Sequence, residues 1–223
     1  MSYKFVIISD LEGIWIEKDR NVYLKLTDKF FNSCGINLKI VKEVDEKVFP
    51  KLAKMGRNGK LRYKEVIERY FKAIKVNNPK KLAREFILFE KNILKKYLKL
   101  KPFARNVLKE IKNFNIPLIC LSDSMHSPYE LKNILKELRI VKFFDRIYTS
   151  NYLKCEKPKA FKALSRKLKL KNKKVIFIGH DDDELLGAKK LGFITIAFKN
   201  KIGNFVFKNL KEIPKILSKI ILQ

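Results

Sequence analysis

Acid is what this chain is short of. It carries 23 Asp and Glu against 51 Lys and Arg, a formal net charge of +28. Arginine is also scarce, supplying only nine of the basic residues. Proteins that read nucleic acid tend to gather Arg and stacked aromatics in one element. No such element is present, so nucleic acid is not an expected partner, despite the affinity for phosphate that positive charge brings. The Lys residues are spread along the chain, as in Lys91, Lys95, Lys96, Lys99 and Lys101, then Lys167, Lys169, Lys171, Lys173 and Lys174. A field of that sign steers small anions toward a site. Cysteine is rare too. Cys34, Cys120 and Cys155 are odd in number, widely spaced and without a CxxC pair, which excludes a zinc framework or a disulfide scaffold. That usage suits a reducing, cytoplasmic setting. No apolar run reaches membrane-spanning length, and the N-terminal run is broken by Asp10 and Glu12. Neither a span nor a secretory signal is therefore expected. Hydrophobic residues make up 46% of 223 residues, which argues against disorder and allows one substantial core plus a smaller accessory domain.

The acids nevertheless cluster in two places. Lys174-Val175-Ile176-Phe177-Ile178 is a short apolar run that ends in Gly179-His180-Asp181-Asp182-Asp183-Glu184. Such a run reads as a buried strand, and acids at its end would lie at the carboxyl edge of a sheet, where open α/β folds bind ligands. Four adjacent carboxylates repel one another, so a cation there would relieve the stress. The competing reading is a solvated helix start, which also favours acids. The second site is Phe5-Val6-Ile7-Ile8, followed by Ser9-Asp10-Leu11-Glu12-Gly13. Asp10 and Glu12 are two apart, so an extended backbone would point both the same way. Gly13 permits a turn or a close approach. A carboxylate at a strand end can be a metal ligand, a nucleophile or an acid/base group; it can also simply bond its own backbone in an Asx turn.

Periodicity organises the rest. Ile14-Trp15-Ile16-Glu17 alternates and predicts a short flap. Residues 21–97 have helical spacing, as in Leu26, Phe30 and Phe31, then Val66, Ile67, Tyr70 and Phe71. Gly56 to Lys60 predicts an exposed turn between helices, from which Arg57 and Lys60 could reach a substrate anion. Beyond residue 98, strands predicted at 117–121, 146–149, 175–178 and 193–198 alternate with helices. The predicted fold class is therefore α/β, a Rossmann-like parallel sheet flanked by helices.

These segments together resemble the haloacid dehalogenase-like hydrolases. Asp10-Leu11-Glu12-Gly13 is similar to that family's first motif. Ser122, after Pro117 to Leu121, fits its second, and Lys157-Pro158 its third. Gly179 to Glu184 falls in register with its fourth acid motif. The resemblance implies that residues 21–97 form an α-helical cap inserted after the first strand, with 1–20 and 98–223 as the catalytic core. It implies Asp10 as nucleophile, Ser122 and Lys157 on a phosphoryl group, and Glu12 as acid/base. It also implies a cation, Mg²⁺, held by Asp10, Glu12, Asp181 and Glu184.

Two positions depart from the pattern. Glu12 stands where Asp is usual, as it also does in the enolase-phosphatase branch. His180 stands in the slot of the direct metal-binding Asp. An imidazole is a poor Mg²⁺ ligand, so Mn²⁺, Co²⁺ or Ni²⁺ becomes an alternative, or Asp181 takes over. The expected function is a cation-dependent phosphatase for a small, anionic phosphorylated metabolite. The family's dehalogenase branch lacks that Asp and works without metal, so metal-independent hydrolysis stays open. A catalytically weakened binder of phosphorylated ligands or of a partner stays open as well, and so does the oligomeric state. His126 is expected as a solvated loop residue.

Overall fold

The computed structural model describes residues 4–157, 159–170 and 174–222; Pro158, Lys171 and Lys173, named above, lie outside the described residues. The chain opens with β1 (Phe5–Ser9) and a short β2 (Ile16–Lys18). Five helices follow: α1 (Arg20–Ser33), α2 (Leu38–Lys47), α3 (Phe49–Arg57), α4 (Tyr63–Ile74) and α5 (Pro79–Tyr97). Side-chain caps start several of them. Asp19 accepts from the Val22 amide ahead of α1, Asn37 from Lys39 ahead of α2, and Asn78 from Lys81 ahead of α5. The chain then returns through β3 (Leu98–Leu100), which pairs antiparallel with β2. The helical segment thus leaves and re-enters through one two-stranded ribbon. It has its own apolar cluster, in which Phe31, Phe71 and Phe86 pack edge-on and stacked.

The remaining elements alternate. They are α6 (Ala104–Lys112), β4 (Leu118–Ser122), α7 (Pro128–Glu137), β5 (Arg146–Thr149), α8 (Ser150–Leu153), α9 (Lys159–Lys167), β6 (Lys174–Gly179), α10 (Asp182–Lys189), β7 (Ile194–Phe198), β8 (Phe205–Phe207) and α11 (Ile213–Leu222). Six strands form one parallel sheet in the order β5-β4-β1-β6-β7-β8. Strand alternation divides the core between its two faces. Ile7, Leu118, Cys120, Ile176 and Ile178 pack with α6, α7 and α11 on one side. Val6, Ile8, Ile119, Leu121, Val175 and Phe177 pack with α9 and α10 on the other. The order reverses at β1, between β4 and β6, and such a switch point leaves a crevice at the carboxyl ends of the strands. Asp10 follows β1 at that place.

Three local expectations change. Ile14, Trp15 and Ile16 are buried rather than forming a flap, and the Trp15 indole donates to Ser9 Oγ at 2.6 Å. Gly56 and Arg57 belong to the last turn of α3, not to an exposed turn. A side chain at Gly56 would meet Met125 and Val66 at 3.0 Å, so glycine lets the helix pack closely there. Strand β8 was not foreseen: it is three residues long, with exposed Val206 at its centre, too short for a period to show. No described helix is long and apolar enough to cross a membrane.

Candidate functional site

Strand register places the acidic and basic motifs. Ser9 pairs with Cys120 of β4 and with Ile178 of β6, so Asp10 is level with Leu121 on one side and Gly179 on the other. The Asp10 amide donates to the Ile178 carbonyl at 2.8 Å, which fixes its backbone against β6. Ser122, the last residue of β4, is buried, and no side-chain hydrogen bond engages its hydroxyl among the described residues. Lys157 approaches from the segment after α8.

Four titratable side chains meet here. Lys157 Nζ donates to Asp10 Oδ1 at 2.6 Å and stands 2.9 Å from Glu184 Oε1. Its side chain is only 2% exposed. The other Asp10 oxygen, Oδ2, lies 3.3 Å from His180 Nδ1, within ion-pair range but off the line of a hydrogen bond. His180 Nε2 lies 3.4 Å from Asp181 Oδ1. Glu184 is buried through its position in the first turn of α10, and its Oε2 has no hydrogen-bond partner.

The electrostatics follow from that packing. Burial alone would push the Asp10 carboxyl up, but the Lys157 ammonium, His180 and the Leu11 amide hold it below its ordinary value. Burial works against the Lys157 charge, and the Asp10 and Glu184 carboxylates more than restore it, so Lys157 stays protonated. Glu184 is pushed up to about 7, chiefly by burial, with Lys157 pulling the other way. The Asp10 side chain raises His180 above the usual imidazole value despite partial burial. Asp10 is therefore an ionised carboxylate set between the Lys157 ammonium and an imidazole whose proton it helps to hold, with an acid that titrates near neutrality beside them.

The expected cation ligands are placed differently from one another. Asp10 has Lys157 at one oxygen and His180 at the other. Glu184 is paired with Lys157. Asp181 precedes α10 as its N-cap residue, with its side chain 60% exposed and facing His180. Glu12 is exposed and makes no side-chain hydrogen bond among the described residues; Lys18 and Tyr97 are the groups that feel its charge. No cluster of three or more His, Cys, Asp or Glu side chains suited to a metal ion is formed among the described residues. The imidazole lies against the turn after Asp10. Gly13 has φ +81°, and a Cβ built there would meet His180 Nε2 at 2.5 Å. The donor set thus fits a fixed imidazole better than a divalent ion.

One contributor gives no signal in the sequence, and another takes a different part from the one expected. Asn200, after β7, donates to the His180 carbonyl at 2.8 Å and to Asp182 Oδ1 at 2.6 Å, holding the loop that presents the imidazole. Arg57 reaches across from α3 to Glu156 at 2.9 Å and Asp123 at 3.4 Å. It therefore meets core carboxylates rather than standing in an exposed turn. His126 is not solvated: its ring packs on Tyr63 at 4.2 Å between centroids, and its Nδ1 is buried without a partner.

Comparison with known proteins fits this arrangement. Residues 27–198 match the family model described as haloacid dehalogenase-like hydrolase. A curated relative, (S)-2-haloacid dehalogenase 2 of Pseudomonas sp. (strain CBS-3), is 25% identical over 122 residues, or 53% of this chain and 52% of that protein. The match thus spans about half the length of each. A 2-haloacid dehalogenase from Pseudomonas syringae pv. Tomato DC3000 shares the fold at a TM-score of 0.74 with 15% identity, covering 98% of this chain and 100% of that one. A HAD phosphatase from Thermococcus onnurineus shares it at 0.66 with 18% identity, covering 95% and 97%.

Proposed function

The chain belongs to the haloacid dehalogenase-like hydrolase family, and on that premise we propose that it hydrolyses a short 2-halocarboxylate through an ester on Asp10, without a divalent cation. One observation carries the reading: both oxygens of the Asp10 carboxylate face a basic side chain, the Lys157 ammonium on one side and the His180 imidazole, which Asp10 raises above its ordinary value, on the other. A carboxylate nucleophile approaching an anionic substrate needs nearby positive charge; Lys157 supplies it, and His180 adds to it when protonated. The name of the curated half-length relative points to the same substrate class.

The chemistry runs in two steps. Asp10 Oδ2, which has no aligned hydrogen bond, attacks the halogen-bearing carbon; the carbon–halogen bond breaks and halide leaves with its electron pair. A halide needs no proton on departure, so the outward position of Glu12 costs this reaction nothing. Water then adds to the Asp10 ester carbonyl, the ester carbon–oxygen bond breaks, and the leaving alkoxide takes the proton remaining on the newly added oxygen, so that the 2-hydroxy acid departs and the Asp10 carboxylate is restored. Glu184 accepts the proton from that water. Its Oε2 is free, and its carboxyl titrates where such a base works best. Lys157 keeps both carboxylates in place through the cycle, and Ser122 offers a hydroxyl to the substrate anion.

A second reading, a cation-dependent phosphatase for a small phosphorylated metabolite, is favoured by the acid spacing Asp10-Leu11-Glu12. The two separate in one experiment. The purified protein is given each enantiomer of 2-chloropropionate with EDTA, and separately a panel of small phosphate esters with Mg²⁺, Mn²⁺, Co²⁺ or Ni²⁺. Halide release that EDTA leaves unchanged is the expected result, with ¹⁸O from labelled water entering Asp10 in a single turnover. Phosphate release that depends on added cation, with no halide release, overturns the proposal.

A further inference from the structure

Arg57 stands apart from the rest of the Lys- and Arg-rich surface. It ends α3 in the helical insert, yet both its carboxylate partners lie in the core, 66 and 99 residues further along the chain. Asp123 directly follows Ser122, and Glu156 directly precedes Lys157. Arg57 Nε therefore touches the residue next to each of two side chains that face the substrate in the proposed reaction. The surroundings are built to match. Asn151 Nδ2 donates to the Gly56 carbonyl at 2.7 Å and to the Leu61 carbonyl at 3.1 Å, gripping the same turn of the insert on both sides. Gly59 has φ +67°, and a Cβ there would meet the Asn151 carbonyl oxygen at 2.5 Å. The Asn151 amide in turn donates to the Ser124 carbonyl at 3.2 Å. Asp123 divides its carboxylate, taking the Ser150 hydroxyl on Oδ1 and facing Arg57 with Oδ2.

We propose that Arg57 is a positioning residue: its guanidinium ties the loop after Ser122 to the loop before Lys157, so that seating of the insert sets the spacing of those two groups. All three side chains are about a third exposed, so the link can form and break as the insert moves. Its consequence for turnover rests on the hydrolytic reading above; the link itself does not. A planar fork suits this work, because one Nε with its neighbouring amino groups can face two carboxylates at once, whereas a Lys ammonium is a single point charge.

The test has two arms. Hydrogen exchange on Arg57→Ala is compared with the native protein and with Lys60→Ala, a neighbour in the same turn with no ion pair among the described residues. Loss of protection in residues 118–126 and 150–157 together, with residues 213–222 unchanged, is expected for Arg57→Ala and not for Lys60→Ala. No change in either loop overturns the proposal whatever the substrate is. In the second arm, halide release from 2-chloropropionate is measured for Arg57→Ala, Glu156→Gln and the double variant. A fall in kcat of about tenfold to a hundredfold is expected, the range for small misplacements of catalytic groups, with KM within about threefold. The double variant is expected to lose no more than Arg57→Ala, and Arg57→Lys to recover part of the loss. Additive losses overturn the coupling of the two loops. If no halide is released by any variant, the hydrolytic reading falls while the exchange arm still decides the link.

Discussion

Two groups of enclosed polar side chains divide this molecule, and they handle charge in opposite ways. At the sheet edge, Asp10 and Glu184 share Lys157, with His180 alongside. In the insert, Glu90 of α5 takes the hydroxyl of Tyr23 from α1 at 2.6 Å and that of Tyr63 from α4. Lys18 sits 4.0 Å over the Tyr23 ring close by. Burial pushes the Glu90 carboxyl up, and the two hydroxyls and Lys18 only partly oppose it; Tyr23 and Tyr63 are driven up as well. Asp10, more deeply buried still, is held down because Lys157 and His180 face its two oxygens. Asp10, which has basic groups at both oxygens, stays ionised and can attack, whereas Glu184, with Lys157 at one oxygen only, is left to titrate near neutrality. An acid matched by hydroxyls drifts toward neutrality and ties three helices together. The contrast separates a site from a joint without appeal to the family.

The strongest way to break the contrast is to remove the ionised acid. Asp10→Asn keeps the size of the side chain and leaves Lys157 paired with Glu184, so the protein is expected to fold. Turnover is expected to fall by about three decades or more, as for other nucleophile deletions. Circular dichroism together with halide release checks this, and substantial activity in the folded variant ends the ester mechanism.

Lys157→Met acts on the cation instead. It leaves two buried carboxylates facing each other, and breaking a buried pair costs about 3–5 kcal/mol at neutral pH. The sign of the pH dependence is specific. Without Lys157 both folded-state carboxyls are raised above their unfolded values, so stability is lost as pH rises through the unfolded range and regained below it. Denaturant titrations at pH 7.5 and pH 5 are expected to show a smaller deficit at the lower pH. An equal deficit at both would mean that lost packing, not charge, explains the change.

Glu184→Gln sharpens the same comparison in kinetics. The native rate is expected to rise with pH through about 7, where Glu184 loses its proton and becomes a base. At the alkaline end it falls as His180, raised by Asp10, loses its charge. The variant is expected to lose the acidic limb and about two to four decades of rate, the usual worth of a general base. An unshifted acidic limb in Glu184→Gln assigns it to another group.

Much of this was legible before any coordinates. The order of strands and helices follows from apolar runs of five residues punctuated by helical periods. The motifs that carry Asp10 and Lys157 stand out in the sequence, and the fold brings the two side chains to 2.6 Å from each other. What could not be read is which way each carboxylate turns. Asp10 and Glu12 share a face only if the chain stays extended, but β1 ends at Ser9 and Gly13 turns at φ +81°, so Glu12 faces outward. Glu184 turns inward because α10 begins at Asp182, which places it in the first helical turn against the sheet. The sequence marks His180 as a departure, but only the fold shows that the ring lies packed against Gly13 beside Asp10. Asn200 carries no local signal, and the turn around Arg57 suggests a substrate anion rather than Asp123 and Glu156, since each side chain acts across the fold on residues far away in the chain.

The smallest expected effect belongs to the joint. Glu90→Gln removes a charge that the fold already disfavours. A carboxyl whose folded value is raised is least costly while protonated, and its penalty grows as pH rises above the unfolded range. The amide keeps one oxygen for Tyr23 or Tyr63, and its NH₂ can donate to the other hydroxyl, which also accepts. The two effects oppose each other, so stability at pH 7 is expected to change by no more than about 1 kcal/mol, the net worth of one exchanged hydrogen bond. Turnover is expected to stay within about twofold, because no Glu90 contact reaches Asp10 or Lys157. Thermal unfolding at pH 5 and pH 8 is the check. The variant is expected to gain on the native protein at pH 8 relative to pH 5. A turnover loss comparable to that of Glu184→Gln would mean that the two clusters form one working unit and that the division drawn between them does not hold.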